Sequence, residues 1–174
     1  MAYRQLFIWV EGRDDERFFD GTVRTTFENK YDSVVVRQYA QMTRKEVGRY
    51  LRSIKWMCSA DCVFVGDINA EPCVTAKKER LRQRYGVESD SVIVVIREIE
   101  GWYMAGVGDE ASAELGVPVL KNTDTLTKED FNQLMPERFN SRIDFMVETL
   151  KHFCTGMAKR KNGSFRYFAE RYGL

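Results

Sequence analysis

The chain has 174 residues, 44% of them hydrophobic and 30% charged, with a formal net charge of +1. That length buries a sizeable core, and the composition is that of a globular protein rather than a disordered one. No apolar run approaches the roughly 20 residues that span a bilayer, and the N-terminus reaches Glu11 without a signal-peptide pattern, so no membrane partner and a cytoplasmic location are expected.

The stretch Leu6 to Val10 is continuously apolar, as in a strand buried on both faces. Glu11 stands where the apolar run stops. Gly12 follows, tolerant of backbone angles that other residues resist. Asp14, Asp15 and Glu16 then open a helix that is expected to run to about Asn29. The simplest reading of this acidic start is structural, with Asp14 capping the helix and its two neighbours complementing the dipole. It leaves Glu11 and Gly12 unexplained.

Ser33 to Tyr39 reads as a second strand, rich in β-branched residues. Thr43 and Glu46 form a capping box for a helix to about Met57. Tyr50, Leu51, Ile54 and Met57 are expected to face the core. Arg44, Lys45, Arg49, Arg52 and Lys55 make the rest of that helix basic, as a solvated face would be. Asp61 to Asp67 is a third apolar strand, again closed by an acid and followed by Asn69. Pro72 suits the start of the next helix, which runs to about Tyr85 and carries Lys77 and Lys78. Ser91 to Ile96 is the fourth strand. It ends in Arg97-Glu98-Ile99-Glu100 and leads to Gly101-Trp102-Tyr103-Met104-Ala105.

Strands thus alternate with helices, which predicts an α/β fold of about four parallel strands flanked by helices. After Gly106 the pattern becomes helical and loop-rich. A short helix is expected near Glu110 to Leu115, a Thr127-capped helix through Phe131 and Leu134, and a Ser141-capped helix with a stripe of Ile143, Met146, Val147 and Leu150. Met157 to Gly163 reads as a basic loop, and Ser164 as the cap of a last helix carrying Phe165, Phe168 and Ala169. The expected organisation is an α/β domain over 1–106 and a C-terminal helical extension over 107–174, packed on the same core.

The four cysteines, Cys58, Cys62, Cys73 and Cys154, form no Cys-x-x-Cys pair. With a single histidine, His152, they do not make up the pattern of a structural zinc site, and His152, on an expected amphipathic helix, carries no nucleophile signature. Four reduced thiols are expected. Trp9 and Trp102 are expected in the core.

In a parallel sheet the strand tips share one edge. Glu11, Asp15, Asp67, Asn69, Glu98 and Glu100 all follow strands. Crowded carboxylates raise one another's pKa values or bind a cation. Oxygen ligands of this kind suit Mg²⁺ or Mn²⁺, and paired ions would serve phosphodiester cleavage. Basic residues would hold the polyanion, with Arg13, Lys77, Lys78, Arg97, Lys159, Arg160 and Lys161 as candidates.

Glu11-Gly12-x-x-Asp15 after one strand and Asp67-x-Asn69 after another resemble the TOPRIM domain, the Rossmann-like catalytic fold of primases, topoisomerases and related nucleases. Arg97-Glu98-Ile99-Glu100-Gly101-Trp102 resembles the small stand-alone OLD-like (overcoming lysogenization defect) TOPRIM proteins. The resemblance covers residues 6–105, with a further likeness at Ser164 to Phe168. It implies Mg²⁺ or Mn²⁺ as cofactor and DNA or RNA as partner. It also implies catalytic roles for Glu11, Asp67 and Glu100, with Asp15, Asn69 and Glu98 as further metal ligands, and an assisting Lys159 or Lys161. The family usually has Asp-x-Asp. Asn69 keeps a carbonyl oxygen but removes a charge, which lowers the expected metal affinity. A metal-dependent nuclease is therefore the first reading. The alternative is a non-catalytic TOPRIM module binding nucleic acid or a partner protein. A signalling receiver would use Asp14, Asp15 and Asp67 but expects a hydroxyl residue after the fourth strand. The P-loop signature is absent.

Overall fold

The computed structural model describes residues 3–57 and 59–174. They form two compact units, Met1–Val94 and Val95–Leu174. None of their helices is long and apolar enough to cross a membrane. Trp9 and Trp102 are both fully buried.

The first unit is built on a four-stranded parallel sheet in the order β2-β1-β3-β4. The strands are β1 (Gln5–Val10), β2 (Ser33–Gln38), β3 (Ala60–Asp67) and β4 (Val92–Val95). β1 is central and its Leu6, Ile8, Trp9 and Val10 are fully buried. This is why its sequence is continuously apolar rather than alternating. Helix α1 (Arg13–Gly21) sinks Phe18 and Phe19 into the core, about 1.5–3 kcal/mol of apolar burial each.

The single helix expected up to Asn29 is two, α1 and α2 (Arg24–Glu28). Thr22 folds its hydroxyl onto the Phe18 carbonyl at 2.6 Å just past Gly21. This local bond competes with the helical ladder and ends α1. Nor does Asp14 cap α1. It pairs with Arg17 at 2.7 Å, and Gly12 takes the N-cap position.

Helix α3 (Arg44–Lys55) starts at the expected capping box, the Thr43 hydroxyl accepting from Glu46 N–H at 3.3 Å and Glu46 accepting from Thr43 N–H at 2.8 Å. Its buried stripe is Val47, Leu51 and Ile54. Tyr50 and Met57 are exposed instead: Tyr50 flanks the stripe, its ring 5.8 Å from that of Trp9, and Met57 lies past the end of α3. Helix α4 (Val74–Tyr85) follows Pro72, with Cys73 at its N-cap and Gly86 left-handed at its end.

The second unit is helical: α5 (Glu100–Ala105), α6 (Asp109–Leu115), α7 (Lys128–Leu134), α8 (Arg142–Lys151), α9 (Thr155–Lys161) and α10 (Gly163–Tyr172). Helix α5 is central and packs on α7, α8 and α9. Its Trp102 lies 5.2 Å from the Phe165 ring and 5.3 Å from that of Phe168. Helix α8 buries Phe145, Met146 and Thr149, while Ile143 and Val147 of the expected stripe are exposed. The expected basic loop is helix α9. Its Ala158 and Lys161 are buried on one side, and the three consecutive cations had masked that periodicity. Asn162, not Ser164, caps α10, accepting from Phe165 N–H at 2.9 Å. Ser164 is freed for another task. Its oxygen accepts from Trp102 Nε1 at 2.8 Å and from Ile96 N–H at 3.3 Å, and donates to Asn162 Oδ1 at 2.8 Å.

Cys62, Cys73 and Cys154 are free thiols. Cys58 lies outside the described residues.

Candidate active site at the strand tips of the first unit

The strand order reverses between β1 and β3. The chain leaves β1 for β2 on one side, then crosses to β3 on the other. Ligands of open α/β sheets bind outside the carboxyl ends of strands at such a switch point. Glu11 directly follows β1, and Asp67 is the last residue of β3.

The strand register aligns the tips further. Trp9 is level with Arg37 on β2 and Phe64 on β3. Two residues on, the same level and face belong to Tyr39, Glu11 and Gly66. The ladder continues there, with Tyr39 N–H donating to Val10 O at 2.9 Å and Ala40 N–H to Glu11 O at 3.3 Å. Gly66 is needed at this level. A Cβ there would lie 2.9 Å from the Tyr39 hydroxyl and 3.3 Å from Lys77 Cε. The missing side chain lets the phenol cross the end of the sheet.

Tyr39 is 4% exposed, and its hydroxyl has no hydrogen-bond partner among the described residues. Burial pushes its pKa far up, and the charges of Glu11, Asp15 and Asp67 push it further. The phenol is thus held protonated as a donor. Glu11 Oε2 is likewise buried without a partner. Leaving a buried polar atom unpaired costs about 1–3 kcal/mol. Such atoms in a native fold call for an explanation, such as a ligand, ion or water.

The remaining acids are fixed by local structure. Asp15 is buried in the first turn of α1, and its Oδ2 accepts from Gly12 N–H at 3.0 Å. Asn69 is left-handed, with φ of 51°, a region asparagine tolerates better than most residues. Its Nδ2 donates to the Asp67 carbonyl at 3.2 Å. Asn69 thus serves the turn that follows β3.

Glu11, Tyr39, Asn69, Lys77 and Arg80 line a cavity of about 370 Å³, which Arg84 and Tyr85 close. Lys77 is buried beside Gly66, and among the described residues none pairs with its ammonium. Arg80 is ion-paired with Glu71. One wall of the cavity is thus acidic and phenolic, the other cationic. Sequence reasoning missed Tyr39, Gly66, Arg80 and Arg84. The available signal was that Tyr39 closes β2 as Glu11 closes β1.

The fourth-strand acids are committed elsewhere, within the second unit. Glu98 accepts from the backbone N–H of Lys128, the first residue of α7. Glu100 is 4% exposed and ion-paired with Arg142 at the start of α8. Arg97 is exposed and left-handed, with φ of 64°.

The basic candidates divide similarly. Arg13 is exposed on α1 and Lys78 half-buried on α4. In the second unit, Lys159 Nζ donates to the Leu174 carbonyl at 3.1 Å, and Arg160 contacts the Met157 sulfur. Lys161 is buried and donates to the Val107 carbonyl. Burial pushes its ammonium pKa down, with Asp109 opposing. Among the described residues no three His, Cys, Asp or Glu side chains are grouped to hold a metal ion.

Compared with family models, curated proteins and solved structures, the chain matches none of them.

Proposed function

We propose that the first unit is a Mg²⁺- or Mn²⁺-dependent phosphodiester hydrolase of TOPRIM type, acting on nucleic acid in the cytoplasm. The observation that carries this is Glu11 Oε2, a buried oxygen without a hydrogen-bond partner. It stands at the switch point beside a cavity whose other wall holds Lys77, without an ion pair among the described residues.

The donor set fits one hydrated ion, held by Glu11 and Asp67, better than a two-ion cluster. Mg²⁺ commonly uses one or two carboxylates and keeps its remaining waters. Glu98 and Glu100 are outside the proposal, because a helix start and an ion pair already engage them. A bound ion would supply Lewis-acid stabilisation of the phosphoryl oxygens.

The chain's own groups do the rest. Glu11, through one carboxylate oxygen, would take the proton of the attacking water as the water oxygen bonds phosphorus; the P–O bond to the leaving nucleotide breaks, and the leaving oxygen takes its proton from solvent. Lys77 neutralises a non-bridging phosphate oxygen. The Tyr39 hydroxyl, kept protonated, donates a hydrogen bond into the same cavity.

One observation favours the alternative, a non-catalytic module that binds nucleic acid or a protein. Residue 69 is asparagine where the usual motif has a second carboxylate, and its amide donates to the Asp67 carbonyl.

Single-turnover cleavage of single-stranded and duplex DNA and RNA, with Mg²⁺, Mn²⁺ or EDTA, separates the two. The hydrolase reading expects metal-dependent cleavage that falls roughly a thousandfold in Asp67→Ala. Cleavage in none of these conditions favours the binding module.

A further inference from the structure

A second cavity, of about 470 Å³, runs along α3 against the C-terminal end of α4 and is lined by Arg44, Lys45, Arg52 and Arg84 with no carboxylate among its lining residues. Arg84 and Tyr85 also line the strand-tip cavity, so the two are contiguous. A solvated basic face was the expectation for α3. Its neighbours fit that: Lys55 pairs with Glu88, Arg82 with Glu79 and Arg80 with Glu71. The four groove cations do not. Among the described residues no carboxylate pairs with any of them, Arg44 donating to the Gln83 carbonyl at 3.1 Å and Arg84 standing 5.3 Å over the Tyr85 ring. Arg44 and Arg84 are partly offset by the carbonyl end of α4, but four cations without a carboxylate partner in one groove still favour a bound polyanion.

The groove also has a floor suited to an extended chain. Arg44, Gly48 and Arg52 recur at i, i+4 spacing on α3, so the two arginines stand about 12 Å apart along the helix. Gly48 leaves the middle bare. A Cβ there would be 3.4 Å from the Arg52 guanidinium and 3.9 Å from the Tyr85 carbonyl. One turn beyond Arg52, at the end of α3, Trp56 is 87% exposed. A tryptophan that open has no packing role, and it offers a flat face for stacking.

We infer that this groove is a track for the backbone of single-stranded nucleic acid, with Trp56 as a base-stacking platform at its end. The identity of the polymer rests on the proposed function. Cations spaced along a groove with an aromatic platform are how single strands are held without sequence preference. A duplex keeps its bases stacked and cannot use Trp56.

The test is anisotropy of a short fluorescein-labelled oligodeoxythymidine, titrated across a range of salt in EDTA so that no metal-dependent cleavage competes. Arg44→Ala/Arg52→Ala should weaken binding at least tenfold and reduce the log–log salt slope by about 1.4, two phosphate contacts at roughly 0.7 each. Trp56→Ala should weaken binding about five- to 150-fold and leave the slope unchanged. Circular dichroism should match wild type for both variants, since all three side chains lie at the surface. An unchanged slope in the double variant, wild-type affinity in Trp56→Ala, or displacement by polyglutamate as readily as by unlabelled oligonucleotide would overturn the inference, the last pointing to an acidic protein partner. If binding is untouched while cleavage still needs Glu11, the groove is wrong and the hydrolase stands. If binding is lost as expected while no metal gives cleavage, the groove stands and the hydrolase reading falls.

Discussion

Glu11 and Glu100 are the same residue type, and each follows an apolar strand. The two units treat them in opposite ways. Glu100 is buried against Arg142, and nearby Glu98 receives the first N–H of α7. Ser164 and Asn162 likewise collect the donors of Trp102, Ile96 and Phe165. In the first unit the corresponding atoms are left over. Glu11 Oε2 and the Tyr39 hydroxyl are buried without hydrogen-bond partners. An acid at a strand tip is thus not a site by itself. What separates structure from chemistry is whether the fold has already used its oxygens.

The comparison breaks most visibly at the Glu100 ion pair. Glu100→Ala should destabilise the second unit by about 3 kcal/mol, because the Arg142 guanidinium is left partly buried and uncompensated. Urea unfolding gives the value, and a loss under about 1 kcal/mol would remove the contrast between the units. Ser164→Ala should cost about 2 kcal/mol by the same measurement, since the Trp102 and Ile96 donors lose their acceptor.

Gly66→Ala sharpens the other half of the contrast. Its methyl meets the Tyr39 hydroxyl, so a loss of about 1–3 kcal/mol is expected, much of it recovered in Gly66→Ala/Tyr39→Phe. Tyr39→Phe alone should be neutral or more stable by up to about 1 kcal/mol, because a buried unpaired hydroxyl is removed. A clear destabilisation would reveal a partner for that oxygen.

A last consequence concerns Cys62, whose thiol is pushed up to about 12, by burial first and Asp61 second. The folded form therefore holds its proton where an unfolded thiol, near 8.5, loses it. This contribution to stability is full below about pH 8.5 and fades as pH rises toward 12. Alkylation at pH 8, read by peptide mass spectrometry, should be slow at Cys62 and fast at the exposed Cys73 and Cys154. Equal rates would contradict the burial of β3.

Much of the fold was legible because its signals are local. Apolar runs marked the four strands, and Thr43 with Glu46 marked the start of α3. Gly116, in the left-handed region, closes α6 where a stop was expected. What escaped depends on tertiary context. Met157 to Lys161 reads as a loop because only Ala158 and Lys161 turn inward. Asn162 and Ser164 are both good caps, and only the position of Trp102 decides between them.

The site divides in the same way. The places of Glu11 after β1, Asp15 in the first turn of α1 and Asp67 at the end of β3 were legible from strand endings. That the Glu98 and Glu100 oxygens are taken by α7 and α8 was not, since the partners lie 30 and 42 residues away. Tyr39 was missed because its role follows from the strand register, which composition does not carry.

The central claim is that Glu11 is held for chemistry rather than for the fold. Cleavage and unfolding measured together on Glu11→Gln test it most directly. The account predicts a rate lower by roughly a thousandfold, with stability unchanged within about 0.5 kcal/mol or increased. A variant that loses several kcal/mol of stability, or cleaves like wild type, would contradict it.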